Sequence, residues 1–301
     1  MSESDQNIQN IQNIHNLSNT SPLRYPGGKT RACKKLDEIL NTNFNIENIK
    51  TIVSPFFGGG SFEFFLQNKY NLDIICNDKF KPLYNFWNSC KDNSKKEELC
   101  KLLYGIVNTE SNNITKDKFL EYRNDIMKET DIFKQAFYYF IINRCSFSGA
   151  TLSGGFSLEA SKKRFTKSSI DRLKSLDLSK VQIYNKDFEE FLSDNVIHDT
   201  IDNTNTLIFL DPPYFLEKGS KLYGNKGDMH ESFNHKKLFE LLSSNTSHLH
   251  NKKWLMTYNN CNYIKDLYKN YIIIEVDWSY GMNPKKISSE IVIINNGLIL
   301  K

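Results

Sequence analysis

Leu207, Ile208, Phe209 and Leu210 form an unbroken apolar run that ends at Asp211-Pro212-Pro213-Tyr214. A segment apolar at every position suits a strand covered on both faces, and the two prolines stop it because neither donates to a sheet ladder. In an open α/β sheet, the edge outside the carboxyl ends of the strands is where ligands bind. The run therefore predicts an α/β fold with an acid and an aromatic ring at a binding edge. Fixed φ at the prolines gives the Asp211 carboxylate, the Pro212 carbonyl and the Tyr214 ring little freedom to rearrange. Two rigid acceptors beside a stacking plate suit an exocyclic amino group on a planar base. Taken alone, the tetrapeptide reads equally well as a strand running into a proline turn with a packed tyrosine.

Four further segments weigh against that plain reading. Ser54-Pro55-Phe56-Phe57-Gly58-Gly59-Gly60-Ser61 follows the apolar Ile52-Val53 and precedes a helix-like stretch at 62–67. Glycines between a strand and a helix allow positive φ and close backbone approach to a ligand. No Gly-Lys-Ser/Thr follows them, so a triphosphate cradle is not indicated. Residues 73–78 read as a second short strand with Asp78 at its tip, at the spacing where a carboxylate takes ribose hydroxyls. Residues 181–188 give a third, where Asp187 and Phe188 suit the edge and face of an adenine. Upstream, Leu23-Arg24-Tyr25-Pro26-Gly27-Gly28-Lys29 reads as a tight turn that brings Tyr25 and Lys29 together, one suited to a sulfonium or a ring and the other to a carboxylate. Acid-tipped strands with a glycine loop and no phosphate motif describe a pocket for a nucleoside without polyphosphate. S-adenosylmethionine fits that description.

In this order of motifs, from Leu23 to about Asn296, the chain resembles the adenine-specific DNA methyltransferases of the Dam-like (D12) class. Supporting segments are Asn143-Arg144-Cys145-Ser146-Phe147-Ser148-Gly149, Ser153-Gly154-Gly155-Phe156, Phe233-Asn234-His235 and Ser289-Glu290-Ile291. The resemblance implies a Rossmann-like S-adenosylmethionine-dependent methyltransferase sheet, mostly parallel with an antiparallel hairpin at its end, and a helical target-recognition insert. It implies cofactor contacts from Tyr25, in place of the tryptophan often found there, and from Lys29, Phe57, Gly58, Gly60, Asp78, Asp187, Phe188 and Asp211. It also implies catalysis by Asp211, Pro212 and Tyr214 on the N6 amino group of an adenine extruded from duplex DNA, with no metal. Related sites act on cytosine N4, RNA adenine or a protein glutamine amide, and a catalytically silent DNA-binding homologue is the non-enzymatic alternative. Asp rather than Asn at 211 and the full motif order favour DNA adenine. The recognition sequence stays open between GATC, CATG and others. Double-stranded DNA is the partner the resemblance implies, and the presence of a cognate restriction endonuclease acting separately stays open as well.

Between the two halves of the expected sheet the pattern changes. Helix-like periodicity over 95–103, 116–127 and 131–144, the last with Phe133, Phe137, Phe140 and Ile141 on one stripe, assigns 81–175 as the target-recognition domain. The catalytic domain then comprises 21–80 and 176–301, and the Asn- and Gln-rich residues 1–20 form a flexible arm. A formal charge of only +4 requires any DNA-binding surface to be local. The expected contacts are Lys162, Lys163 and Arg164, with Arg144, Ser146 and Ser148 of the loop 143–156, and Lys285 further on. Residues 215–227, rich in glycine and lysine, are expected to act as a flap. Six dispersed cysteines without a Cys-x-x-Cys pair suit a reducing intracellular compartment and exclude the usual zinc spacing, and the six histidines show no ligand spacing. Nothing in the sequence predicts a membrane span or a leader.

Overall fold

The computed structural model describes residues 19–108, 114–202, 204–215, 233–279 and 287–297 of the 301-residue chain. Seven strands form one sheet: β1 (Thr51–Ser54), β2 (Asp73–Asn77), β3 (Val181–Tyr184), β4 (Thr206–Leu210), β5 (Trp254–Asn259), β6 (Ile272–Ser279) and β7 (Ile287–Asn295), in the order β3-β2-β1-β4-β5-β7-β6. The first five are parallel, and β7 runs antiparallel between β5 and β6. The chain winds outward from β1 through β2 to β3, then returns to β4 on the other side of β1. This reversal opens a crevice between the carboxyl ends of β1 and β4.

The continuous apolar character of β4 has its cause in the layers on either side. Leu207 and Phe209 face a core shared with Leu36, Ile39 and Leu40 of α1 (Cys33–Asn43) and with Phe62 and Leu66 of α2 (Ser61–Tyr70). Ile208 and Leu210 face the opposite core, with Phe191, Leu238, Leu242 and Ile264. Successive side chains of a strand point to opposite faces, so a strand covered twice favours apolar residues on both.

The β2-to-β3 crossover carries the helical segment, from α3 (Lys81–Lys91) and α4 (Asn93–Val107) through α5 (Lys116–Asp125) and α6 (Ile132–Cys145) to α7 (Leu158–Lys163) and α8 (Lys167–Lys174). Asp92 and Asp131 start α4 and α6 by accepting two backbone N–H groups each, the ordinary N-cap device. Phe140 and Ile141 of the expected stripe are fully buried, while Phe133 and Phe137 are partly buried against the same core. That core also includes Ile74 and Cys76 of β2 and Val181 of β3. A boundary drawn at residue 81 thus passes through continuous packing, because α3 is the helix that covers this end of the sheet. Four short helices, α9 (Phe188–Leu192), α10 (Asn195–Asp202), α11 (His235–Ser243) and α12 (Asn262–Leu267), lie on the other face.

The expected arm lies outside the described residues up to 18, but Asn19 is packed, its side chain bonding Gln67 Oε1 and the carbonyl of Asp177 at 2.7 Å each. The expected flap beyond Phe215 also lies outside them, as do Lys285 and Lys286. Among the described residues no helix is long and apolar enough to cross a membrane, and no group of three or more His, Cys, Asp or Glu side chains gathers to hold a metal ion.

Candidate active site

The crevice is a cavity of about 370 Å³ lined by Tyr25, Lys29, the segment 55–63, Asp78, Asp187, Phe188, Asp211, Pro212, Tyr214 and Phe233, among others. This volume falls in the range of small-molecule sites. The loops around it are riveted by buried amides. Asn77, at the end of β2, donates through Nδ2 to the carbonyls of Pro55 at 3.2 Å and Lys186 at 3.0 Å, and its Oδ1 accepts from Lys186 N at 2.9 Å. Three strand ends are therefore tied by one side chain.

The glycine loop has a specific geometric need. Gly58 and Gly60 have φ of 51° and 66°, and a Cβ at Gly58 would lie 2.9 Å from the Tyr25 ring. Trp87 Nε1 holds the Gly58 carbonyl at 3.0 Å, while Gly58 N donates to Asp78 Oδ2 at 3.0 Å. Phe80 N donates to Asp78 Oδ1 at 2.9 Å. Burial pushes the Asp78 carboxyl up to about 6, against the pull of those two N–H groups. Asp187 caps α9 through Glu189 N at 3.1 Å and pairs with Lys79 at 2.8 Å. Beside it, the rings of Phe56, Phe188 and Phe233 lie with centroids 5.1–5.7 Å apart.

Opposite lies a compact polar cluster. Lys29, 3% exposed, shares the three protons of its Nζ among both Asp211 oxygens at 2.8 Å, the Tyr214 hydroxyl at 2.9 Å and the Gly27 carbonyl at 2.9 Å. Thr257 Oγ1 donates to Asp211 Oδ1 at 2.6 Å, and Tyr214 OH donates to Glu290 Oε2 at 2.5 Å. At the cavity floor Glu63 accepts from Ser54 Oγ at 2.6 Å. Burial is the main cause that pushes its carboxyl up to about 7, with nearby Asp211 adding to the rise and the Ser54 hydroxyl and Lys29 opposing it.

A model of the D12 class N6 adenine-specific DNA methyltransferase family matches residues 25–282, most of the chain and both sides of the cavity. The chain belongs to that family. This D12-class enzyme is 25% identical over 205 residues to the Type II methyltransferase M.MjaIII of Methanocaldococcus jannaschii, a match that covers 64% of this chain and 68% of that one. A solved rRNA methyltransferase, aviRa from Streptomyces viridochromogenes, is 12% identical with a TM-score of 0.40, covering 93% of this chain and 92% of that one.

The sites expected from sequence fall into three groups. Tyr25, Lys29, Gly58, Gly60, Asp78, Asp187, Phe188, Asp211, Pro212 and Tyr214 all line the one cavity. Phe57 lines the same cavity, with its ring packed against Phe64 and Trp87, while the neighbouring Phe56 ring lies against Phe188 and Phe233. Arg144 and Ser146 need a correction. Arg144 is 4% exposed and spends its guanidinium on the carbonyls of Pro22 and Arg164, while Ser146 Oγ accepts from Thr151 N inside its loop. Neither is placed to reach a DNA groove. Ser148 is half-buried, Lys162, Lys163 and Arg164 are exposed, and Phe147 in the same loop is the most exposed large apolar side chain among the described residues. Sequence reasoning missed Phe56, Glu63, Thr257 and Phe233. Phe56 and Phe233 sat in quoted motifs, but no local signal showed which way their rings would pack.

Proposed function

We propose that this enzyme transfers a methyl group from S-adenosylmethionine to the N6 amino group of an adenine turned out of a short site in duplex DNA. The observation that carries this reading is the opening of Asp211, Pro212 and Tyr214 onto the same cavity as Asp78, Asp187, Phe188 and the glycine loop. The donor set suits the cofactor: Asp78 retains acceptor capacity for ribose hydroxyls beyond its two backbone bonds. The Phe56, Phe188 and Phe233 rings offer an apolar face for a purine, and Asp187 an acceptor at its edge. When bound, the cofactor supplies an electrophilic methyl group on a sulfonium.

The rest of the chemistry belongs to the side chains. Adenine N6 is a weak nucleophile because its lone pair is delocalised into the ring. Acceptors on its two N–H bonds favour the pyramidal nitrogen of the transition state, and a nearby carboxylate stabilises the positive charge that develops there. A carboxylate offers about four lone-pair sites. Asp211 uses three of them for Lys29 and Thr257, so one remains for an amino N–H, and the Pro212 carbonyl serves the other. Unstacking a base from the duplex costs a few kcal/mol, roughly, and stacking on the Tyr214 ring returns about 1 to 3. We assign the helical segment 81–175 to target recognition, with Ala150 and Thr151 of the loop 143–156 lining the cavity and Lys162, Lys163 and Arg164 meeting DNA phosphates. A restriction endonuclease of matching specificity, acting as a separate protein, is the partner this reading implies.

Incubation of unmodified duplex DNA with methyl-labelled S-adenosylmethionine, followed by digestion to nucleosides, tests the proposal. Label in N6-methyladenine, lost in Asp211→Ala, is the expected result. Label in N4-methylcytosine, or label accepted only by RNA or protein, overturns it.

A further inference from the structure

An antiparallel strand begins where its parallel neighbours end, so the first residues of β7 lie at the carboxyl edge of the sheet, just beyond the level of Asp211. Glu290 pairs in register there with Asn259, the last residue of β5. The Glu290 side chain is fully buried, and its Oε2 accepts the Tyr214 hydroxyl proton at 2.5 Å. The same phenolic oxygen accepts from Lys29 Nζ at 2.9 Å, so both its donor and an acceptor site are directed by named partners. On either side of Tyr214 the sheet grips the loop again. Thr257 Oγ1 holds Asp211 at 2.6 Å, and Asn259 Nδ2 holds the Phe215 carbonyl at 2.7 Å.

Burying a carboxyl group is unfavourable unless it is paired and hydrogen-bonded. The next four positions of β7, Ile291, Val292, Ile293 and Ile294, are apolar and equally buried, which is what the strand needs for packing alone. We propose that Glu290 is a positioning residue for methyl transfer, pinning the Tyr214 phenol so that the ring stands as a fixed plate beside Asp211. Glu290 does not touch the reacting atoms; it acts through the tyrosine. An unpinned ring would sample orientations that leave the target base short of the geometry needed for attack. The role rests on the DNA-adenine reading of the site.

The test measures kcat and KM for methyl transfer to duplex DNA in wild type, Glu290→Ala, Glu290→Gln, Tyr214→Phe and the Glu290→Ala/Tyr214→Phe double variant. Glu290→Ala is expected to lower kcat by about 10- to 100-fold, with KM for the cofactor nearly unchanged. Glu290→Gln keeps an acceptor oxygen in the same place and should recover most of the rate. Tyr214→Phe, which deletes the bonded proton while leaving every β7 residue in place, should itself slow turnover, and the double variant should be no slower than the slower single one. Single effects that multiply in the double variant overturn the role, as does a Glu290→Gln rate as low as that of Glu290→Ala. If Glu290→Ala does not fold, a wild-type rate in Tyr214→Phe overturns it equally. Absence of methyl transfer to duplex DNA by the wild type removes the substrate reading and this role together, whereas an active wild type with multiplying variants removes this role alone.

Discussion

Glu63→Gln is expected to stabilise the protein above neutral pH and to leave it unchanged in mild acid. Glu63 is 2% exposed, and its carboxyl holds its proton up to about 7 rather than the ordinary 4.5. Between those two values the folded chain binds more protons at this position than the unfolded chain, so stability falls as pH rises through the window. Below it both states are protonated and nothing is lost; above it both are ionised and the loss is complete. At about 1.4 kcal/mol per pH unit, the span from 4.5 to about 7 destabilises the wild type by about 3 kcal/mol at pH 8. Glutamine stays neutral, and its Oε1 can still accept the Ser54 hydroxyl that donates to Glu63 at 2.6 Å. Urea unfolding of both proteins at pH 5, 6, 7 and 8 provides the assay. Asp78, raised to about 6, contributes a slope of the same sign to both proteins and cancels in their difference. A wild-type-minus-variant difference that is flat from pH 5 to 8, or that favours the wild type at pH 8, refutes the assignment of Glu63 as a carboxyl ionised against its burial.

Arg144→Ala should cost about 2–4 kcal/mol by urea unfolding, because it strands the carbonyls of Pro22 and Arg164. Its residual folded fraction should bind DNA with an unchanged salt slope. Joint replacement of Lys162, Lys163 and Arg164 by alanine should do the reverse, leaving stability nearly intact while lowering the slope of log K against log salt by about 0.9 for each lost phosphate contact. Gly149→Ala should destabilise by about 2 kcal/mol or more in thermal unfolding. Its φ is 73° and the new Cβ would sit 2.4 Å from the Arg24 carbonyl oxygen. Because Asn143 bonds both the N–H and the carbonyl of Arg24 across this contact, the displaced loop should also slow DNA-dependent turnover.

The parts of the site that were legible in sequence share one property: each depends on residues within a few positions of one another. Leu207 to Leu210 fill both faces of a strand, Gly58 and Gly60 take left-handed conformations, and Asp211 follows directly on the last strand residue. Arg144 was misread for the complementary reason. A basic residue beside a glycine- and serine-rich loop looks like a DNA contact until carbonyls 20 and 122 residues away in sequence are seen to hold it. Phe56 and Phe57 are adjacent and identical and both line the cavity, yet one ring packs beside Phe188 and Phe233 and the other against Phe64 and Trp87. Only the helix packed behind the loop distinguishes them.

The sequence by itself determined the class of sheet, the loops that interrupt it and the chemistry available at its edge, since periodicity, backbone conformation and side-chain type are local properties. The tertiary structure decided which of those groups meet. Lys29 reaches Asp211 across 182 residues, and Glu290 reaches Tyr214 across 76. Such contacts arise only when the strands are set in register and the loop that precedes them folds over the same edge of the sheet, because that packing converts distant positions into neighbours.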